Sequence, residues 1–258
     1  RFQLACSAWV VAAAMDPDWE RDKGLLTRVQ GHFLEAIQAV NLTQGWPEGY
    51  NYWINNRAYP FALACLAHLN TVEAPEINRK VKAALNAIGK WTIHGTEPAN
   101  RFALFADTGP RNDLKDETQR VVDLIALATR DPLYRDYSQY VAGRHGNQGY
   151  YRGYRWGRPV FRGLPELDFS KKNTRSDLKV FNGRLPKSAL FGPNSLGQVF
   201  IRSGWGPRDT FLFFQAGHSF THHGHYQAGH FAITKTAPLA IKSGSYGGFN
   251  SKHRRNYY

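Results

Sequence analysis

Apolar residues recur every three to four positions through the first 142 residues and every second position near the end of the chain. The first spacing is that of one face of a helix, the second that of one face of a strand. Residues 2–14 predict an apolar helix that closes at Asp16-Pro17. Residues 25–40 predict a second, with Leu26, Val29, Phe33, Ile37 and Val40 on one face. A Gly/Pro-marked loop follows, Gln44-Gly45-Trp46-Pro47-Glu48-Gly49-Tyr50. Residues 52–69 return to a helical pattern, in which Pro60 is expected to kink the helix or mark its real start. Pro75 opens another helix, with Ile77, Val81, Leu85 and Ile88 as its face. One more is expected over 113–130, and Pro132 opens a short last one to about Val141. Helix pairs without strands, at this length, pack as a bundle, a solenoid or an α/α toroid.

The texture changes at Gly143. Residues 144–162 form a loop rich in arginine and aromatics, too rich in glycine for a helix. Beyond it, residues 198–202, 210–215, 230–236 and 238–242 read as strands. The turn signals Gly204-Trp205-Gly206-Pro207 and 244–248 stand between and after them. No helix intervenes, so the sheet is expected to be antiparallel. The expected organisation is a helical domain over 1–142, a basic aromatic linker over 143–176 and an antiparallel sheet domain, cut short, over 177–258.

Charge sharpens that division. The formal net charge is +13 over 258 residues. Residues 1–142 carry 15 basic and 16 acidic side chains, whereas 143–258 carry 18 and 4. The basic surplus therefore belongs to the second half and favours a polyanionic partner. No apolar run reaches transmembrane length. The first 15 residues resemble the core of a signal peptide, but they begin at Arg1 and no cleavage site follows. They read as a helix cut open at its start, in a fragment of a longer protein. Cys6 and Cys65 both sit in helical patterns and read as buried free thiols.

Candidate chemistry concentrates in two places. Five of the ten histidines lie within thirteen residues, at His218, His222, His223, His225 and His230. Core packing explains such density poorly, and imidazole accepts protons or binds metals near neutral pH. A metal here lacks acidic partners, because neither Asp nor Glu follows Asp209. The second place is Trp46-Pro47-Glu48-Gly49-Tyr50-Asn51-Tyr52-Trp53, followed by Asn55, Asn56 and Arg57. Trp and Tyr faces stack on sugar rings, and an arginine pairs with a carboxylate or sulfate. Nucleic-acid binding is disfavoured: the chain has no zinc-finger spacing, no RNP-like strand, no recognition-helix pattern and no phosphate-binding loop.

Two segments carry a resemblance: Gly45-Trp46-Pro47-Glu48-Gly49-Tyr50-Asn51-Tyr52-Trp53 and His223-Gly224-His225-Tyr226-Gln227-Ala228-Gly229-His230-Phe231. Leu239-Ala240-Ile241-Lys242-Ser243-Gly244-Ser245-Tyr246 matches the strand and turn that follow. Over most of its length the chain resembles the heparinase II/III-like group of polysaccharide lyases, which includes alginate and heparan lyases. The resemblance implies an incomplete α/α toroid followed by an antiparallel β-sandwich-like domain. It implies β-elimination on a uronate-containing acidic polysaccharide, such as alginate, glucuronan or a heparan-like chain, in a periplasmic or secreted setting. Tyr52 is then expected as the catalytic tyrosine and His223 as the catalytic histidine. Trp46, Glu48, Asn51, Arg57, His222, Tyr246 and Tyr258 are the expected substrate contacts.

No cofactor is needed for this chemistry. The resemblance makes His225 a ligand of a structural zinc. Two positions depart from that pattern: Gln227 stands where family members carry an acid, and Lys242 where they carry an Asp ligand. The family's carboxylate-neutralising residue would precede Arg1, and a further metal-site histidine would follow Tyr258. The departures leave a non-catalytic acidic-glycan-binding protein as the alternative. A hydrolase with a histidine-centred metal site is a weaker one.

Overall fold

The structure, a computed structural model, describes residues 1–15, 23–98, 100–108, 112–115, 117–145, 177–218 and 227–241. A helical region is followed by a five-stranded antiparallel sheet.

Helix α1 spans Phe2–Ala13 and α2 spans Lys23–Thr43. Trp9 of α1 stacks on Phe33 of α2, with ring centroids 5.8 Å apart. His68 wedges against both rings, and burial holds its imidazole below the usual range. Cys6 and Cys65 are both buried and free, and burial pushes the Cys6 thiol up to about 12. Neither thiol is activated as a nucleophile.

Pro60 lies within two residues of the start of its helix, one of the two sequence expectations, and the helical path before it is of another kind. A single turn, α3 (Gly49–Tyr52), runs into a π-turn over Trp53–Arg57, and α4 follows as Ala58–Thr71. Pro60 is the third residue of α4. Its missing N–H and its ring would clash with a tight turn before it. The wider turn, closed by Ala58 N–H donating to Trp53 O, carries the helix past that point without a break.

Pro75 opens α5 (Pro75–His94), whose buried face includes Val81, Leu85 and Ile88 as the spacing predicts. Helix α6 spans Glu117–Thr129 and α7 spans Pro132–His145. Asp131 caps α7 by accepting from Leu133 N–H at 2.8 Å. The expected start of α6 near 113 is wrong by four residues. Asp113 is taken into a β-bridge with Arg101, next to a second bridge between Thr96 and Phe102. At Thr96, Arg101, Phe102 and Asp113 the connection is therefore bridged backbone.

Strands β1 (Ser188–Phe191), β2 (Gln198–Arg202), β3 (Phe211–Gln215), β4 (His230–Lys235) and β5 (Ala237–Ala240) pair in sequence order. The turn after β2 is held by Asp209, whose carboxylate accepts from Gly206 N–H and Ser203 Oγ. The inner face packs on the helices. Phe213 stacks on Phe105 at 4.9 Å, Trp91 Nε1 donates to Gln198 Oε1 at 2.7 Å, and one hydrophobic core runs through both regions. Each fully buried aromatic ring there contributes about 2–3 kcal/mol.

The outer face is also apolar. The cross-strand rows Leu190–Val199–Phe214–Phe231 and Ile201–Leu212–Ile233 lie in register on it, and Leu190, Ile201 and Phe231 are each about half exposed. The inner rows are more polar, holding Gln198, Arg202, Gln215 and Thr234. No helix among the described residues is long and apolar enough to cross a membrane.

Candidate active site

The loop-to-helix junction at 46–57 is ordered by one carboxylate. Glu48 accepts from Trp46 Nε1 at 3.1 Å and from Arg57 Nη2 at 3.4 Å. It thereby ties the loop before α3 to the end of the π-turn. The Arg57 guanidinium lies 5.8 Å from the centre of the Tyr52 ring. Tyr52 and Asn51 are half-buried on α3. Trp46 packs against Phe2 at 4.8 Å and Trp53 at 5.2 Å, and is 8% exposed. Its ring holds the junction together more than it offers a platform. Trp46, Glu48, Tyr52 and Arg57 are thus brought into one cluster, with Asn51 next to Tyr52 on the same turn.

A second cation enters from the 112–115 segment. Lys115 Nζ donates to Asn55 Oδ1 at 2.9 Å, and Lys115 N–H donates to the Tyr50 hydroxyl at 2.8 Å. Sequence reasoning missed it by placing 113–130 in a helix, and no local signal marks it. Tyr50 itself is fully buried. It stacks on Phe102 at 4.4 Å and meets Thr118 Oγ1 at 2.5 Å. The junction is therefore anchored from below as well as through Glu48. Alongside it, α1, α4 and α6 enclose a cavity of about 550 Å³ whose wall includes Asn55, Asn56, Tyr59 and Arg120. Burial pushes the Tyr59 phenol up to about 12 despite the Arg120 guanidinium 5.4 Å over its ring, so Tyr59 stays neutral.

Residues 227–230, at the end of the histidine segment, reach the same place from the sheet. His223, His222, His225, Tyr246 and Tyr258 lie outside the described residues, as does Lys242. The adjoining residues 227–230 are described, and they grip segment 104–106. Gln227 Oε1 accepts from Ala106 N–H at 2.7 Å, and His230 Nε2 lies 3.1 Å from Leu104 O. Gly49 packs against the other side of that segment. A Cβ on Gly49 would sit 3.0 Å from Phe105 O and 3.2 Å from Ala106 Cβ. The two motifs, more than 170 residues apart in sequence, converge on three residues of backbone.

Gly49 also has φ of +86°, a region that side chains disfavour. Gly49→Ala is expected to cost about 1–3 kcal/mol. The check is the urea midpoint, together with near-UV circular dichroism for the aromatic cluster.

Gln227 bears on the implied zinc site. Its carboxamide is buried and its oxygen is engaged by the Ala106 amide. It supplies neither charge nor a free oxygen to a metal, and the described residues do not fit that site. Among them no group of three or more His, Cys, Asp or Glu side chains is placed to hold a metal ion. Of the helical histidines, His68 is enclosed by rings. His94 is driven down to about 3 by burial, with Arg202 and Lys90 adding to it. Both are neutral packing groups at working pH.

Among the buried ionisable residues not singled out from sequence are Arg202 and Glu97. Arg202 Nη2 donates to His94 O at 2.6 Å and Thr96 O at 3.1 Å, and its guanidinium lies 3.7 Å over the Trp205 ring. Glu97 is 3% exposed close by. Alternation did place Arg202 in a strand, but nothing in the pattern shows that it faces inward.

No protein-family model and no curated protein matches the chain.

Proposed function

We propose that the protein is a polysaccharide lyase that cleaves a uronate-containing acidic glycan by β-elimination. The observation that carries this reading is that Gly49, beside Tyr52, and Gln227 and His230, which follow His223 in sequence, meet on 104–106. Elimination needs a base on one side of the sugar's C5 and an acid near the 4-oxygen. It also needs positive charge near the carboxylate, because charge spreads onto it as the C5 proton leaves. Tyr52 is assigned as the acid, and His223 as its partner in proton transfer. His223 takes the C5 proton, the electron pair of the C5–H bond becomes the C4–C5 double bond, the C4–O4 bond breaks with its pair on O4, and Tyr52 hands its proton to O4. Arg57, oriented by Glu48, meets the carboxylate. The basic surplus of residues 143–258 suits the approach of a polyanion.

The same proposal covers the finer architecture. The helical region is assigned as part of an α/α toroid and the sheet as one layer of a sandwich. The apolar outer rows of the sheet support a second layer, since a sheet with water on one side alternates apolar and polar residues. A periplasmic or secreted setting follows from the substrate class.

The test is absorbance of the unsaturated uronate produced from alginate, glucuronan, heparan, chondroitin and ulvan by the full-length protein. Product from at least one polymer is expected, and none from any of them overturns the reading. Arg57→Ala is expected to lower kcat/KM by about tenfold or more, with kcat falling as well as KM rising, because the contact strengthens as charge spreads onto the carboxylate. Initial rates across polymer concentrations check it.

A second reading is a non-catalytic binder of acidic glycans. It is favoured by Gln227, which stands where the resembled family has an acid and is engaged with backbone. Retention on an anionic polysaccharide without product, unchanged by Tyr52→Phe, would establish it.

A further inference from the structure

The reversal after α5 holds a buried charged cluster that the proposed chemistry does not use. Glu97 sits at its base. Its N–H donates to Arg101 O at 2.7 Å, and its carbonyl accepts from Asn100 N–H at 3.2 Å. Its side chain meets the inner face of the sheet, where the Thr234 hydroxyl donates to it. Thr234 and Arg202 flank Phe211 in a single cross-strand row, so β2 and β4 both face this carboxyl. Arg202 in turn donates to the last carbonyls of α5 and just beyond. From its own loop Glu97 faces Arg101, which lies 3.8 Å from Asp113. The other titratable groups around Arg202 are Tyr137 and Tyr140 of α7, Asp209 after β2, and the neutral His94.

We propose that Glu97, seated on the Arg202–Phe211–Thr234 row, is a proton-sensitive latch between the helical region and the sheet. With its proton on, the carboxyl fits the buried site. With its proton off, the carboxylate meets the Thr234 hydroxyl and two guanidiniums, which return less than the water it has lost, and the 95–106 reversal loosens. That reversal leads into 104–106, on which both motifs rest, so the latch sets how the two are spaced. It stands independently of whether the chain cleaves glycans.

Burial is the largest influence on the group and pushes it up to about 7, against the opposing pull of Thr234, Arg101 and Arg202. The closed state keeps the proton up to that pH, whereas an open or unfolded chain releases it near 4.5. The contribution is therefore full below the ordinary carboxylate range, falls as pH rises toward 7, and is flat above.

Hydrogen exchange followed by mass spectrometry, corrected for intrinsic rates and read on peptides covering 95–106 and β2, tests the latch in the whole protein. Protection is expected to fall by up to roughly 10²-fold between about pH 5 and 8, with its step ending near neutrality. Glu97→Gln is expected to abolish the step. Thr234→Val, which removes a donor to the carboxylate, is expected to move the step to higher pH and keeps the test open should Glu97→Gln fail to fold. Asp123, also pushed up to about 7 by burial but bonded to Ser138 of α7, is the control. Asp123→Asn is expected to leave the step in place. No step in the unaltered protein, a step that survives Glu97→Gln, or one that disappears with Asp123→Asn overturns the proposal.

Discussion

Replacing Tyr52 with phenylalanine is expected to slow cleavage of the cognate polyuronate by roughly 10²–10⁴-fold, the usual contribution of a positioned acid or base. The substitution removes one oxygen and keeps the ring, so the half-buried side chain still packs beneath the Arg57 guanidinium. Polymer binding is expected to survive, because Arg57 stays tied to Glu48 without help from the phenol. The loss should therefore fall on kcat and not on KM. His223→Ala is expected to give a loss of similar size, and the double variant little more than either alone, since the two groups serve one proton-transfer event. Initial rates on the best substrate of the panel check all three.

The second large effect is on stability. Arg202→Ala is expected to destabilise the fold by about 3–5 kcal/mol, a large share of the roughly 5–15 kcal/mol available to a domain. The guanidinium is 3% exposed, and burial has already lowered it to about 9, so it remains charged at neutral pH. Truncation leaves the carbonyls of His94 and Thr96 buried without their donor, and strips the stack from Trp205. It also removes a positive neighbour from Glu97. Arg202→Lys is expected to recover only part of the loss, because an ammonium cannot lie flat on the indole while reaching two carbonyls. Urea denaturation of the three proteins measures this. A change below about 1 kcal/mol for Arg202→Ala would contradict the placement of this side chain at the joint.

The elements easiest to read from sequence were those with strong local signals. Val81, Leu85 and Ile88 repeat at helical spacing behind Pro75, and all three are buried on α5. Three of the four expected strands match to within a residue at each end, at Gln198–Arg202, Phe211–Gln215 and His230–Lys235. The fourth, expected over 238–242, is Ala237–Ala240. What escaped depended on distant partners. β1 is four residues with no clean alternation, and it exists because it pairs with β2. The 113–115 stretch was expected to be helical, but the bridge from Arg101 takes Asp113 first. Alternation also could not say which face of the sheet meets the helices. Phe214 and Phe231 turn away from the core, while Gln198, Arg202 and Thr234 turn into it.

The site was legible in a similar way. The cluster of Trp46, Glu48, Tyr52 and Arg57 follows from spacing around one helix start, and it forms. The junction of that cluster with the histidine segment through 104–106 was not legible. The contacts use the Leu104 and Phe105 carbonyls, the Ala106 N–H and the Ala106 methyl, and contacts of that kind leave no mark in composition. Lys115 was missed for the same reason as the start of α6.

The central claim is that Tyr52 donates a proton during an elimination. The most direct measurement counts two kinds of new chain end on the same polymer: unsaturated uronate by absorbance, and reducing ends by chemical assay. An elimination makes one of each per bond broken. The account predicts a one-to-one ratio for the unaltered protein and the loss of both signals together for Tyr52→Phe. Reducing ends without unsaturated ends, or undiminished unsaturated ends from Tyr52→Phe, would contradict it.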